Sequence, residues 1–162
     1  MAFYHTLLQQ VGGRALRRRM ARIQAWRRAP LAAQERLLMG LLGQARHTAF
    51  GQAHGFGAIR SVAEFQERVP TQPYEAFYPY IERALRGEPN VLWPGRTEWF
   101  AKSSGTTNDR SKFIPMSPAC LHGNHYAAGR DMLALYLDAR PDSRIFHGKA
   151  LSIGGSHEIN RF

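Results

Sequence analysis

Ser103-Ser104-Gly105-Thr106-Thr107-Asn108-Asp109-Arg110-Ser111-Lys112 is a polar run set between two apolar ones. Trp99, Phe100 and Ala101 precede this polar stretch, and Phe113, Ile114 and Pro115 follow it. Small hydroxyl residues, one glycine and a closing lysine are the ingredients of a phosphate cradle. Hydroxyls and backbone N–H groups donate to phosphate oxygens, and the ammonium adds a point charge. The same residue types are ordinary turn formers, so a hairpin loop without function is the plainer alternative. The stretch is not a Walker A loop, which needs a glycine directly before the lysine; Ser111 stands there. The spaced glycines of a dinucleotide fingerprint are missing as well.

Working outward, Trp99 to Lys102 and Lys112 to Ile114 read as two short strands joined by this loop. Ser117-Pro118 opens a long helix that should run to about Ala139 and stop before Pro141. Ile145 to Phe146 is a weak strand candidate, and Lys149 to Ile153 is a better one, closed by Gly154-Gly155. A β-loop-β-α-β series predicts an α/β sheet. Two or three strands do not complete such a sheet, so the chain is expected to be the front end of something longer.

Upstream, residues 1–95 read as mainly helical. Arg14 to Arg28 is amphipathic: Leu16, Met20 and Ile23 recur at helical spacing, with Arg14, Arg18 and Arg22 on the other face. Pro30 suits the first turn of a second helix. Leu37, Leu38, Leu41, Leu42 and Ala45 would form its buried face, and Gly51, Gly55 and Gly57 would end it. Ser61-Val62-Ala63-Glu64 is a capping box opening a short helix with Phe65 inward. Pro70 and Pro73 bracket a turn. Pro73 to Arg86 reads as a helix with Tyr74, Phe77, Tyr80, Ile81 and Leu85 on its apolar side, broken or kinked near Pro79. Gly87 is the expected C-cap, and Asn90 to Arg96 a loop.

Composition narrows the class. The 162 residues are 44% hydrophobic and 21% charged, as in ordinary globular proteins. No run of about 18 apolar residues predicts a membrane span, and the early residues lack the apolar core of a signal peptide. The N-terminus is rich in arginine and free of acids before Glu35, but the first serine is Ser61, unlike a Ser-rich transit peptide. The formal charge is +10. Only Lys102, Lys112 and Lys149 are lysines among the 22 basic residues. Such a balance permits nucleic acid, anionic membrane or phosphate-rich ligands without choosing among them, and solvated faces alone can explain it. Cys120 has no intramolecular partner, which fits a reducing cytoplasm.

The motifs also carry a resemblance. Ser103-Ser104-Gly105-Thr106-Thr107…Lys112 looks like the phosphate-binding signature of adenylate-forming ligases. Phe100 to Thr107 followed by Ser111-Lys112-Phe113-Ile114-Pro115 more closely resembles the auxin-responsive acyl acid–amido synthetase family in its bacterial form. Thr48-Ala49-Phe50-Gly51, His54-Gly55-Phe56, Arg68-Val69-Pro70, Pro79-Tyr80-Ile81, Gly87-Glu88-Pro89 and Gly154-Gly155-Ser156-His157 resemble other segments of that family, in order. The likeness covers essentially residues 1–162.

This resemblance implies the N-terminal portion of a large adenylate-forming domain, with residues 1–95 helical and 96–162 carrying the loop hairpin, the long helix and the next strand. It implies ATP and Mg²⁺ as cofactors, and a small carboxylic acid and an amine or amino acid as substrates. The acid would be activated as its acyl-adenylate and passed to the amine to form an amide. Ser103, Ser104, Gly105, Thr106, Thr107 and Lys112 would hold the ATP phosphates. Asn108 and Ser111 depart from the wider superfamily, which often has glycine and proline there. Asp109 is read as loop-exposed and uninvolved. Segments that bind adenine, ribose and metal in relatives, and the small C-terminal domain, have no counterpart here, so the chain alone is expected to be inactive. The expected location is cytoplasmic.

The remaining constellations read as structural. His122 and His125 could share a helix face but lack a third ligand. Gly154 to Glu158 lacks the second glycine of a nucleophile elbow. Arg130 is read as a surface arginine on an exposed helical face. The rival from another class is a basic protein binding nucleic acid or membrane surfaces, or a non-functional remnant; no nucleic-acid motif supports the first.

Overall fold

In the computed structural model, residues 18–103, 112–143, 145 and 151 are described. They form helix α1 (18–28), α2 (Pro30–Ala45), α3 (Ala49–Ala53), a 3₁₀ turn (Phe56–Ala58), α4 (Val62–Arg68), α5 (Tyr74–Leu85), strands β1 (Trp99–Lys102) and β2 (Phe113–Met116), α6 (Pro118–Cys120), a π turn (Leu121–His125) and α7 (Tyr126–Ala139). The described part is therefore mostly helical with one two-stranded antiparallel sheet. The chain divides into two compact units: Ala29–Asn124, and Met1–Arg28 with His125–Phe162.

Within the unit Ala29–Asn124, α2 begins at Pro30 as its fixed φ favours. Its buried face is narrower than the leucine spacing predicts. Leu42 and Ala45 are buried and Leu38 half-buried, whereas Leu37 and Leu41 lie 63% and 42% exposed. The helix also ends at Ala45, before the glycines that were expected to stop it. Thr48, 1% exposed, makes the break: its hydroxyl donates to Ala45 O at 2.7 Å and accepts Gly51 N–H at 3.0 Å, capping α3. Gly51 sits inside α3 because a Cβ there would lie 2.1 Å from Ala45 O.

The N–H groups of Ala49 and Phe50 donate to the carbonyls of Asn90 and Val91, at 2.8 and 3.0 Å. The loop after α5 thus satisfies orphan donors at the start of α3, and buries Val91 to 2% exposure. Phe50 then becomes a hub. Its ring meets Phe56, Phe77 and Tyr80 edge-on, with centroids 5.7, 5.3 and 5.1 Å away. Each such pair contributes about 0.5–1.5 kcal/mol beyond burial.

Of the break or kink expected near Pro79, the break does not occur: helix α5 continues through the proline from Tyr74 to Leu85. Pro79 lies on the exposed face, so the Glu75 carbonyl that loses its i+4 donor is on the solvated side. Ile81 and Ala84 bury the opposite face. The helix closes in a Schellman motif: Gly87 N–H donates to Ala84 O and Glu88 N–H to Arg83 O, at 2.9 and 3.1 Å, with Gly87 at φ 83°. The predicted capping box at Ser61 forms in altered shape. Ser61 Oγ accepts Glu64 N–H, while Glu64 reaches back to Arg60 N–H at 2.8 Å.

The hairpin pairs Trp99 with Met116, Phe100 with Pro115, Ala101 with Ile114 and Lys102 with Phe113. β1 matches the sequence reading; β2 extends past Ile114 to Met116, and Lys112 lies just outside it. Ser117 Oγ accepts Cys120 N–H, so the helical run begins where Ser-Pro predicts and ends at Ala139 as expected. Its second turn is π rather than α.

In the other unit, Arg19, Ile23 and Trp26 share one face of α1 at i, i+4, i+7 spacing. Ala127, Asp131 and Ala134 do the same on α7. Arg19 Nη2 donates to Asp131 Oδ2 at 2.6 Å, its Nε pairs with Oδ1, and its guanidinium lies 5.3 Å from the Trp26 ring. Hydrogen bonding to Asp131 raises the Arg19 pKa above its ordinary value. Arg18 and Arg22 are exposed, and Arg14 and Leu16 lie outside the described residues. So does the strand expected at Lys149–Ile153, apart from Leu151, which is 94% exposed.

Candidate functional site

Ser103 and Lys112 face each other one position beyond the last hairpin pair. Ser103 N–H donates to Lys112 O at 2.9 Å. The return bond does not go to the Ser103 carbonyl; Lys112 N–H donates instead to Ser103 Oγ at 3.1 Å. The serine side chain therefore closes the base of the 103–112 loop. Its oxygen is used as an acceptor, which leaves the hydroxyl proton to be donated elsewhere.

A ladder position that bonds inward is followed by one that points outward. Phe113 is the outward residue, and its backbone meets α5. Its N–H donates to Tyr74 Oη at 2.9 Å, and Tyr74 O–H donates back to Phe113 O at 3.2 Å. One hydroxyl thus satisfies both polar groups of the first β2 residue. The Tyr74 ring also carries the lysine: Lys112 Nζ lies 4.9 Å from its centroid. Glu75, the next residue on α5, has Oε1 3.6 Å from the same Nζ. The lysine and glutamate side chains are 49% and 73% exposed, so this contact is long and screened by solvent.

Of the six residues proposed for phosphate, Ser103 and Lys112 are brought together; Ser104, Gly105, Thr106 and Thr107 lie outside the described residues. The donor chemistry of the two visible members fits a polyphosphate. One offers a hydroxyl proton, the other a half-exposed ammonium with three N–H donors. Tyr74 and Glu75 were missed by sequence reasoning. Tyr74 registers there only as an apolar helix position, and no local pattern announces a partner 39 residues away.

His122 and His125 fall in the π turn and are exposed, and no group of three or more His, Cys, Asp or Glu among the described residues could hold a metal. Arg130 is exposed on α7, as the surface reading has it. Cys120 is half-buried at the end of α6. Gly154 to Glu158 lies outside the described residues. Among the described residues, no helix is long and apolar enough to cross a membrane.

Residues 19–160 match the model of the GH3 family N-terminal domain. The chain belongs to the GH3 family. Its GH3 relatives include a putative indole-3-acetic acid-amido synthetase of Arabidopsis thaliana, 34% identical over 87 residues. An indole-3-acetic acid-amido synthetase of Oryza sativa subsp. indica and a probable one of subsp. japonica are each 32% identical over 85 residues. Each match covers 52% of this chain and 14% of the relative. These are the acyl acid–amido synthetases that the ordered motifs resemble. The GH3-like segments Thr48–Gly51 and Pro79–Ile81 meet where the Phe50 ring packs on Tyr80, and Gly87–Pro89 is the turn that leads into Asn90 and Val91, whose carbonyls accept from Ala49 and Phe50.

Proposed function

We propose that this chain supplies the phosphate-binding corner of an ATP-dependent acyl acid–amido synthetase with an adenylate-forming large domain. The observation that carries the reading is the closure of the 103–112 loop by Ser103 and Lys112, which sets a hydroxyl and an ammonium at the two ends of a Ser/Thr/Gly stretch. Ser104, Thr106 and Thr107 donate hydroxyls to the β and γ oxygens, and Gly105 lets the backbone approach. Ser103 steadies one end of the loop. Lys112 neutralises charge that builds on departing pyrophosphate.

ATP, when bound with Mg²⁺, supplies the activated phosphorus that a carboxylate attacks. The substrates are then a small carboxylic acid and an amine or amino acid. The names of the relatives support an acid of the indole-3-acetic type. Groups for adenine, ribose and metal belong to the remainder of a family-length protein, and the 162 residues alone do not complete the reaction. A cytoplasmic location goes with this chemistry and with the lone cysteine.

The test is acid-dependent ATP–pyrophosphate exchange in a family-length protein carrying this segment. Thr106→Ala with Thr107→Ala should lower exchange by about 10²-fold or more, the usual loss for removed transition-state donors. Unchanged exchange would remove the loop from the reaction.

A further inference from the structure

Lys112 already has two partners on α5. Its ammonium stands over the Tyr74 ring at 4.9 Å and beside Glu75 Oε1 at 3.6 Å. Both partners come from one turn of helix, and that helix is tied to the adjoining residue by two hydrogen bonds between the Tyr74 hydroxyl and the Phe113 backbone. The lysine backbone is in turn fixed by Ser103, through Oγ and N–H. The Cα of Lys112 is therefore anchored on both sides, and its ammonium is carried on a flexible four-carbon stem. The glutamate contact is too long for a hydrogen bond and largely exposed, so it holds the ammonium weakly.

We propose that Glu75 is a displaceable seat for Lys112: it holds the ammonium at the loop base and gives it up to an entering polyphosphate. Glu75 is a positioning residue that competes with the ligand for one cation, and Tyr74 keeps the cation near the loop in either state. A phosphate oxygen offers a charge-assisted hydrogen bond that the 3.6 Å carboxylate contact does not. This inference rests on the phosphate reading of the loop and adds to it a side chain that weakens binding in the ground state. Neutralising the seat should therefore tighten binding, an unusual direction for a residue at a binding site.

The experiment titrates the 162-residue chain with inorganic tripolyphosphate at fixed salt, following its affinity and the ¹⁵N resonance of Lys112 Nζ. Four proteins are compared: the native chain, Glu75→Gln, Lys112→Ala and the double variant. Glu75→Gln should tighten binding about two- to five-fold, the range of an exposed ion pair. Lys112→Ala should weaken binding, and in its background Glu75→Gln should change nothing. In the native chain the Nζ resonance should move on titration. Equal tightening with and without Lys112 would overturn the proposal, because the glutamate would then act only as a general repelling charge. Unchanged or weaker binding in Glu75→Gln would overturn it too. No binding by the native chain would overturn the phosphate reading itself; loss with Lys112→Ala but no effect of Glu75→Gln would leave that reading standing and remove the seat. Superposable amide spectra of the four free proteins establish that the fold is common to them.

Discussion

The hydroxyl of Tyr74 accepts the N–H of Phe113 at 2.9 Å and donates to the carbonyl of the same residue at 3.2 Å. A single side chain on α5 thereby occupies the outward edge of β2 where the loop re-enters the sheet. Pro115, the next outward position, has no N–H to offer. The β2 edge is closed over its first three residues by a tyrosine and a proline. Tyr74→Phe keeps the ring and removes both bonds. It should cost about 1–3 kcal/mol, since a part-buried backbone donor and acceptor lose their partner. Chemical denaturation measures the cost, and faster hydrogen exchange at the Phe113 amide locates it.

Thr48 governs how α2 ends. Its buried hydroxyl bonds the last turn of α2 and the first turn of α3 at once. Thr48→Val retains the shape and removes the hydroxyl, with an expected loss of about 1–3 kcal/mol. Thr48→Ser should recover most of it. Urea unfolding of the three proteins decides the point.

Gly51 makes a sharper prediction. A methyl group there would overlap the Ala45 carbonyl, which is backbone and cannot rotate away. Gly51→Ala should destabilise by at least about 2 kcal/mol, although alanine is the better helix former. A neutral or stabilising outcome in the same unfolding assay would show that α2 and α3 do not approach as described.

The ion pair that closes α5 predicts a pH dependence. Arg83 donates to both oxygens of Glu88, Nε to Oε2 at 2.8 Å, and this holds the Glu88 carboxyl below its ordinary pKa. A depressed carboxylate pKa means that the pair's stabilisation is present above the ordinary carboxylate range and is lost as pH falls through the folded value. A ¹³C titration of Glu88 should show the lowered midpoint, and Arg83→Gln should return it to the ordinary range. An unshifted midpoint in the native chain would contradict the pairing.

Much of this architecture could be read locally. The β1 bounds, the Ser117-Pro118 helix start and the Gly87 cap all follow from short-range rules, because turn and cap chemistry is decided within a few residues. The errors arise where a distant partner overrides a local rule. Pro79 is expected to break or kink its helix, and its position on the solvated face of α5 makes continuation tolerable. Leu37 and Leu41 carry a helical apolar pattern, but of the five residues expected on the buried face Leu42 and Ala45 are buried, Leu38 is half-buried, and these two are exposed. At the candidate site, Ser103 and Lys112 were legible as the ends of a motif. Tyr74 and Glu75 were not, because their role comes from the packing of α5 on β2 and leaves no periodic trace.

On the proposed function, the loop bounded by Ser103 and Lys112 holds the phosphates of ATP. The most direct measurement is amide chemical-shift mapping of the ¹⁵N-labelled chain with Mg·ATP, set against adenosine at the same concentration. Shifts should concentrate between Ser103 and Phe113 with the nucleotide, and none should appear there with adenosine. Shifts absent from this segment, or unchanged by Thr106→Ala with Thr107→Ala, would contradict it.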